Sequence, residues 1–479
     1  MNQLKTINSE YINLSVQDGS NYAGRIIVKK GQKIFKNQIL TLPETNSLNT
    51  PIHSPCDGII EDIYLDDHLH LDNTKVNNIK IKVPNNIQEN SLPEFNHHDK
   101  YNYEQLITKI RYSGIIGLGG AGFPSFKKIL NQKINYLIIN AAECEAPISA
   151  DAALMNNINN IEKIINGILS LKKILNFKTN RNLKIIIAIE DNKPNAINNF
   201  KKILKKSDLV NIITIKVIPT AYPNGDAKYL IKILLNKEIP KNQHSTSHGV
   251  VCFNVATVYS MYEAIYENQP LIKRIVTISG SAVKNPDNYE IFIGTPIKDI
   301  LKYLNIAEPN LDISMGGYFM GVPIKNLNAG ILKTTNSLII DFKKPNDITE
   351  ECINCGFCVT ECPQELLPQQ LYKFSKTEKV NNLLINNVHH CIECGICDTV
   401  CPSNIDITKY IQYGKNLIKT HENQQDNANS LKSRYENFQA RKQKLEQEKL
   451  DKVSKQSKID KSELLKRTLA KAKDKGKDK

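Results

Sequence analysis

From residue 26 to 83 short apolar runs alternate with polar positions: Ile26-Ile27-Val28, Ile34-Phe35, Ile39-Leu40, Ile59-Ile60, Ile63, then Ile79, Ile81 and Val83. Turn formers separate them at Lys30-Gly31-Gln32, Pro51, Pro55 and Asp57-Gly58, which predicts a small β domain. A polar stretch, 84–103, reads as a linker, and 103–110 as a helix. Beyond it, apolar-rich strand signals at 136–140, 183–189 and 211–218 alternate with helical patterns at 158–171 and 195–205. That alternation predicts a Rossmann-like α/β domain over about 104–260. Arg274 to Gly280, then Gly294-Thr295-Pro296 and the following Ile-Lys-Asp-Ile-Leu, predict a short β-rich unit with one helix. Between Pro363 and His390 the spacing of Leu366, Leu371, Tyr372, Phe374, Leu383 and Leu384 is helical. The chain is therefore expected to be multidomain α/β and α+β, as its 479 residues allow.

Composition adds a charge asymmetry. Of the formal net charge of +14, Ser430–Lys479 holds +9 and the rest of the chain is close to balanced. Lysines outnumber arginines eightfold (56 and 7), and bidentate recognition of phosphates and bases leans on arginine, so nucleic-acid binding is disfavoured. Within the tail, Leu431, Tyr435, Phe438 and Leu445 keep helical spacing, so 421–479 is expected to be a basic tail, partly helical or disordered. No apolar run reaches the length of a membrane span, and the first residues contain no secretory apolar region. A cytoplasmic protein is expected, and its eleven cysteines are then not a disulfide framework.

Eight of those cysteines form two runs. The first is Cys352-Ile-Asn-Cys355-Gly-Phe-Cys358-Val-Thr-Glu-Cys362-Pro363, the second Cys391-Ile-Glu-Cys394-Gly-Ile-Cys397-Asp-Thr-Val-Cys401-Pro402. Each has the bacterial ferredoxin spacing, in which three thiolates wrap one cubane and the fourth ligates the other cluster. Two [4Fe–4S] clusters follow, one on Cys352, Cys355, Cys358 and Cys401, the other on Cys362, Cys391, Cys394 and Cys397. Zinc prefers separated pairs and needs four ligands, not eight in duplicate. His389 and His390 adjoin the second run but are surplus to its ligand count.

A second chemical feature lies upstream. Gly117-Leu-Gly119-Gly120-Ala-Gly122-Phe-Pro124 precedes Ser125 and Lys128. It matches a dinucleotide fingerprint only in form, because a helix rather than a strand comes before it. A glycine loop that enters a helix is nonetheless an anion cradle by its backbone N–H groups, or else a tight structural loop. The 136–140 strand ends in Asn140-Ala-Ala-Glu143-Cys144-Glu145, acidic residues at the end of a strand where α/β proteins bind ligands.

The order of these motifs resembles the C component of the Rnf-type ion-translocating oxidoreductase complex and, more distantly, the flavin-binding NADH subunit of respiratory complex I. Further matching phrases are Tyr222-Pro223-Asn-Gly225, Asn254-Val255-Ala-Thr257, Val276 to Gly280, and Met315-Gly316-Gly317 with Met320-Gly321. The resemblance covers about 20–415. It implies a barrel-sandwich-like β domain at 1–95, a flavin/NADH-type domain at 104–260 and a β-grasp-like unit at 265–345. A mostly helical dicluster module follows at 346–420. It implies FMN as cofactor and NAD(H) as substrate, with Gly119, Gly120, Gly122, Lys128, Glu143 and Glu145 as the binding residues. It also implies integral-membrane and iron–sulfur partner subunits, and a peripheral position on the cytoplasmic side of the bacterial inner membrane. Ala146, Ala152 and Ala153 depart from it, standing where the family has a proline, an acid and an arginine. A soluble NADH-dependent reductase subunit of the diaphorase type, or an iron–sulfur docking scaffold with an inactive flavin site, are the alternatives.

Overall fold

The computed structural model describes residues 4–18, 21–44, 47, 49–67, 75–84, 101–130, 133–177, 183–240, 243–306, 309–343 and 349–474. Most of the expected linker, 85–100, and the final lysine-rich residues, 475–479, lie outside them. Two compact units are present: Met1–Phe357 with Ile392–Ile405, and Cys358–Cys391 with Asp406–Lys479.

The first unit begins with an antiparallel sheet in the order Tyr11–Ser15, Lys75–Lys82, Gly58–Asp67 and Lys33–Ile34. Its alternation is the one read from the sequence: Ile12, Leu14, Ile34, Ile60, Ile79 and Ile81 point into the core. The α/β part follows as a four-stranded sheet, all parallel, in the order Ile213–Ile218, Lys184–Glu190, Tyr136–Ala141 and Val250–Asn254. The central strand carries Leu137, Ile138 and Ile139 with no exposure, because helices cover both of its faces. Helices Ile158–Asn176 and Val255–Tyr266 pack closely where Gly167 meets Val258, since a Cβ there would stand 2.6 Å from the Val258 carbonyl oxygen.

The third part is a mixed six-stranded sheet with the helix Ile297–Tyr303. Its strands run Lys5–Thr6, Asp287–Phe292, Lys273–Ser279, Ser337–Phe342, Leu311–Met315 and Val322–Pro323. The edge strand Lys5–Thr6 comes from the far end of the chain and pairs parallel with Asp287–Phe292. Buried polar struts tie the parts together. Asp18 accepts from the Lys333 backbone N–H and the Thr334 hydroxyl, while the Lys333 ammonium donates to the carbonyls of Pro51 (3.0 Å) and Gly114 (2.9 Å).

The second unit packs Pro368–Lys376 and Val380–Ile385 on the start of a long helix, Ile407–Asp474, through Leu371, Leu383, Ile411 and Ile418. Past about residue 420 that helix is exposed on nearly all sides, including Leu431, Tyr435, Phe438 and Leu445. The described tail is thus one helix, more regular than the partly helical tail expected. No helix among the described residues is long and apolar enough to cross a membrane.

Candidate flavin and iron–sulfur sites

A cavity of about 540 Å³ opens in the first unit at the carboxyl ends of the parallel strands. One wall is the glycine loop. Its turn closes through Gly117 N–H to the Phe123 carbonyl (2.8 Å) and Gly122 N–H to the Gly117 carbonyl (3.2 Å). Gly120 sits at φ +109° with open space where a Cβ would be, so its backbone faces the cavity bare. The peptide around Leu118 is held from both sides: its N–H donates to the buried Thr257 hydroxyl (3.0 Å), and its carbonyl accepts from buried Arg274 (3.3 Å). The helix after the loop, Ser125–Ile129, is a single turn with no side-chain cap.

Lys128 reaches the cavity from that turn. Its ammonium donates to the Cys252 carbonyl (3.3 Å) and lies over the Phe253 ring (5.4 Å to the centroid), and burial lowers its pKa. Among the described residues no carboxylate is within ion-pair distance of it. A half-buried cation beside bare backbone suits a phosphate dianion.

The acidic strand end also lines the cavity. The Glu143 carboxylate is spent on structure: it accepts from Asp151 N–H (2.7 Å) and Ala152 N–H (2.9 Å), capping the helix Ala150–Met155. Burial, then the neighbouring Asp151 charge, raise its pKa. Gly122 does not line the cavity. It is buried in the turn beneath, at φ +62°. Gly119, Gly120, Lys128, Glu143 and Glu145 do line it. Glu145 accepts from Phe319 N–H (2.7 Å), and burial raises its pKa. Gly317 has no room for a side chain, because a Cβ would fall 2.1 Å from the Glu145 carboxylate. The Cys144 thiol accepts from Gly225 N–H (3.2 Å) and is pushed up to about 11 by burial.

Tyr222, Asn254, Thr257, Met315 and the 334–336 loop also line the cavity. They come from segments far apart in sequence, and phrases such as Tyr222-Pro223 and Met315-Gly316-Gly317 were the available sign of them. A second cavity of about 520 Å³, near Tyr259, Glu263 and Lys273, contains none of the expected cofactor residues.

The two cysteine runs repeat each other in backbone as well as sequence. Asn354 and Glu393 are left-handed (φ +55° and +58°), as are Gly356 and Gly395 (+85° and +77°) and Glu365 and Asn404 (both +51°). Single helical turns, Phe357–Thr360 and Ile396–Thr399, carry Cys358 and Cys397, both buried. Left-handed residues are costly away from glycine, so the two matched pairs without glycine mark a backbone path that both runs hold in common. Among the described residues no three such side chains are close enough together to hold one metal ion. What the runs share is a looped backbone with the same cysteine spacing. The runs differ in surroundings: Cys355 is exposed, whereas Cys394 is buried and, with Ile392, lines the flavin-sized cavity.

A parallel α/β domain with a glycine-loop cavity and a module of repeated cysteine runs stand on one chain, and each matches a redox-cofactor domain family. Residues 110–263 match the Nuo51 FMN-binding domain family, and 351–405 the 4Fe-4S dicluster domain family. The chain is similar over most of its length to curated proteins named as the C component of the ion-translocating oxidoreductase complex, as the motifs implied, and its Nuo51 domain links it to complex I. One, from Yersinia enterocolitica, is 36% identical over 433 residues, covering 89% of this chain and 60% of the relative. Another, from Haemophilus influenzae strain ATCC 51907, is 38% identical over 428 residues, covering 87% and 50%. The chain thus spans about half to two thirds of the length of such relatives. Among solved structures, an NAD+-reducing [NiFe]-hydrogenase in the air-oxidised state aligns with a TM-score of 0.41 and 17% identity, over 60% of this chain and 53% of that one.

Proposed function

We propose that this chain is the peripheral electron-transfer subunit of a membrane-bound complex that couples NAD(H), flavin and iron–sulfur redox chemistry to ion translocation. The observation that carries this reading is a single cavity lined both by the glycine loop with Lys128 and by a cysteine of a ferredoxin-type run, Cys394. The FMN-binding and dicluster families matched by the chain support it, as do the names of its relatives. FMN, when bound, exchanges two electrons with a nicotinamide and passes them on singly. In this chain the backbone at Gly119 and Gly120 and the Lys128 ammonium hold its phosphate. Glu145 and the 315–320 loop close the far side, and Gly122 and Glu143 keep the loop and the strand end in shape. The eight run cysteines hold two [4Fe–4S] clusters in the crossed sets given by their spacing.

The rest of the reading follows from the same resemblance. Its segments are a barrel-sandwich-like 1–95, a flavin domain at 104–260, a β-grasp-like 265–345, a dicluster module at 346–420 and a basic tail at 421–479. Partner subunits within the membrane carry the ion, and this chain docks to them on the cytoplasmic side of the inner membrane. A scaffold with an inactive flavin site is favoured by Ala152 and Ala153, which offer neither an acid nor an arginine. Anaerobic reconstitution with FMN and iron–sulfide, followed by NADH, separates the readings. Bleaching of flavin absorbance with reduction of the clusters is expected. Clusters without retained FMN would leave the scaffold reading.

A further inference from the structure

The two cysteine runs have matching backbones, yet one of them is built into the wall of the flavin cavity. Ile392 and Cys394 line it, and no residue of 352–358 does among the described lining residues. Two contacts fix the second run there, and a ring stack joins them. The Tyr222 hydroxyl donates to the Cys394 carbonyl at 2.7 Å, and the Tyr222 ring stacks on Phe319 with centroids 4.4 Å apart. Gly395 lies so close to Phe319 that a Cβ would stand 2.3 Å from its carbonyl oxygen. Phe319 is in turn anchored by its N–H to Glu145. The equivalent Gly356 of the first run has nothing within 4 Å of a Cβ.

We infer that the cluster carried by the second run, through Cys394, is the immediate electron partner of the flavin, and that Tyr222 is the residue positioning that run against the cavity. The inference rests on the function proposed above and adds an order to it: flavin, second-run cluster, first-run cluster, or the reverse. Electron tunnelling falls steeply with edge-to-edge distance, so the run that forms the wall outcompetes one that does not. Each transfer oxidises the flavin by one electron and takes one cubane from its 2+ to its 1+ state. Two transfers reoxidise a flavin reduced by two electrons from NADH or dithionite, and its protons pass to water. Tyr222 touches the peptide of a ligand rather than the reacting atoms, so its part is positioning.

The test uses the full chain reconstituted with FMN and iron–sulfide, half-reduced, and read by power-saturation electron paramagnetic resonance of the flavin radical. A paramagnetic cluster nearby shortens its relaxation, and this readout needs no turnover. Cys394→Ala is expected to abolish the enhancement and to slow flavin reoxidation by about tenfold or more in stopped flow. Cys355→Ala is expected to leave the enhancement in place. Tyr222→Phe keeps every ligand, and should weaken the enhancement and slow reoxidation several-fold at unchanged iron and FMN content. Loss of enhancement in Cys355→Ala with retention in Cys394→Ala, or equal loss in both, overturns the order. A Tyr222→Phe variant indistinguishable from the parent overturns the positioning role. A parent that retains clusters but no FMN fails differently, since it overturns the proposed function itself.

Discussion

The two cysteine runs carry the same ligand spacing, the same left-handed positions and the same single helical turns, but only one is built into a larger structure. Gly356 turns in open space, whereas Gly395 turns against Phe319. Cys355 is exposed, and its counterpart Cys394 is buried at a cavity wall. The spacing of cysteines dictates what each run can bind. The neighbours of each run dictate what its cluster can exchange electrons with. Duplication supplied two equal modules, and packing made them unequal.

The comparison breaks most visibly at the two glycines. Gly356→Ala should cost about 1 kcal/mol, the strain of a left-handed residue with a Cβ. Gly395→Ala adds a clash with backbone that cannot move aside, and should cost about 3 kcal/mol or more. Thermal melting of the reconstituted chain checks both, and equal losses would mean that the runs are packed alike. On the flavin side, Gly120→Asp would place a carboxylate where the proposed function puts the phosphate, and should abolish FMN retention with iron content intact. Lys128→Gln should weaken FMN binding about tenfold, the loss of one charge-assisted contact, measured by flavin fluorescence titration. Unchanged affinity in both variants would remove the phosphate from this loop.

A smaller effect separates structural acids from cofactor acids. The raised pKa of Glu143 means that the folded state holds its proton where the unfolded chain has already released it. Stability from this group therefore falls as pH climbs above the ordinary carboxylate range. Glu143→Gln should flatten that slope in denaturant midpoints measured from pH 5 to 8. A steeper slope in the variant would contradict the assignment. Smallest of all is the tail: truncation after Ser430 should change neither iron nor flavin content, and should lower the salt at which the chain leaves anionic membranes. Release at the same salt would leave docking to the body.

Much of this was legible in local pattern. The parallel strands and their helices fall within a few residues of the periodicities, since a strand covered on both faces, such as Tyr136–Ala141, needs an apolar centre like Leu137-Ile138-Ile139. The ferredoxin spacing was legible because ligand chemistry is written in consecutive residues. What could not be read is non-local. Nothing in Lys5-Thr6 announces pairing with Asp287–Phe292. The commitment of Glu143 to a helix terminus depends on where Asp151 and Ala152 fold back to meet it. The Cys394 peptide meets Tyr222 across a separation that no window of sequence spans. The tail was underestimated because its apolar residues are sparse and exposed, and its helix lacks an apolar face broad enough to stand out.

The most direct test is a cofactor count on the anaerobically reconstituted full chain, with flavin, iron and acid-labile sulfide measured on one sample. One FMN with about eight iron and about eight sulfide per chain is expected from the proposed pair of cubanes. Zinc in place of iron, no labile sulfide, or only about four iron on a chain with both runs intact would contradict it.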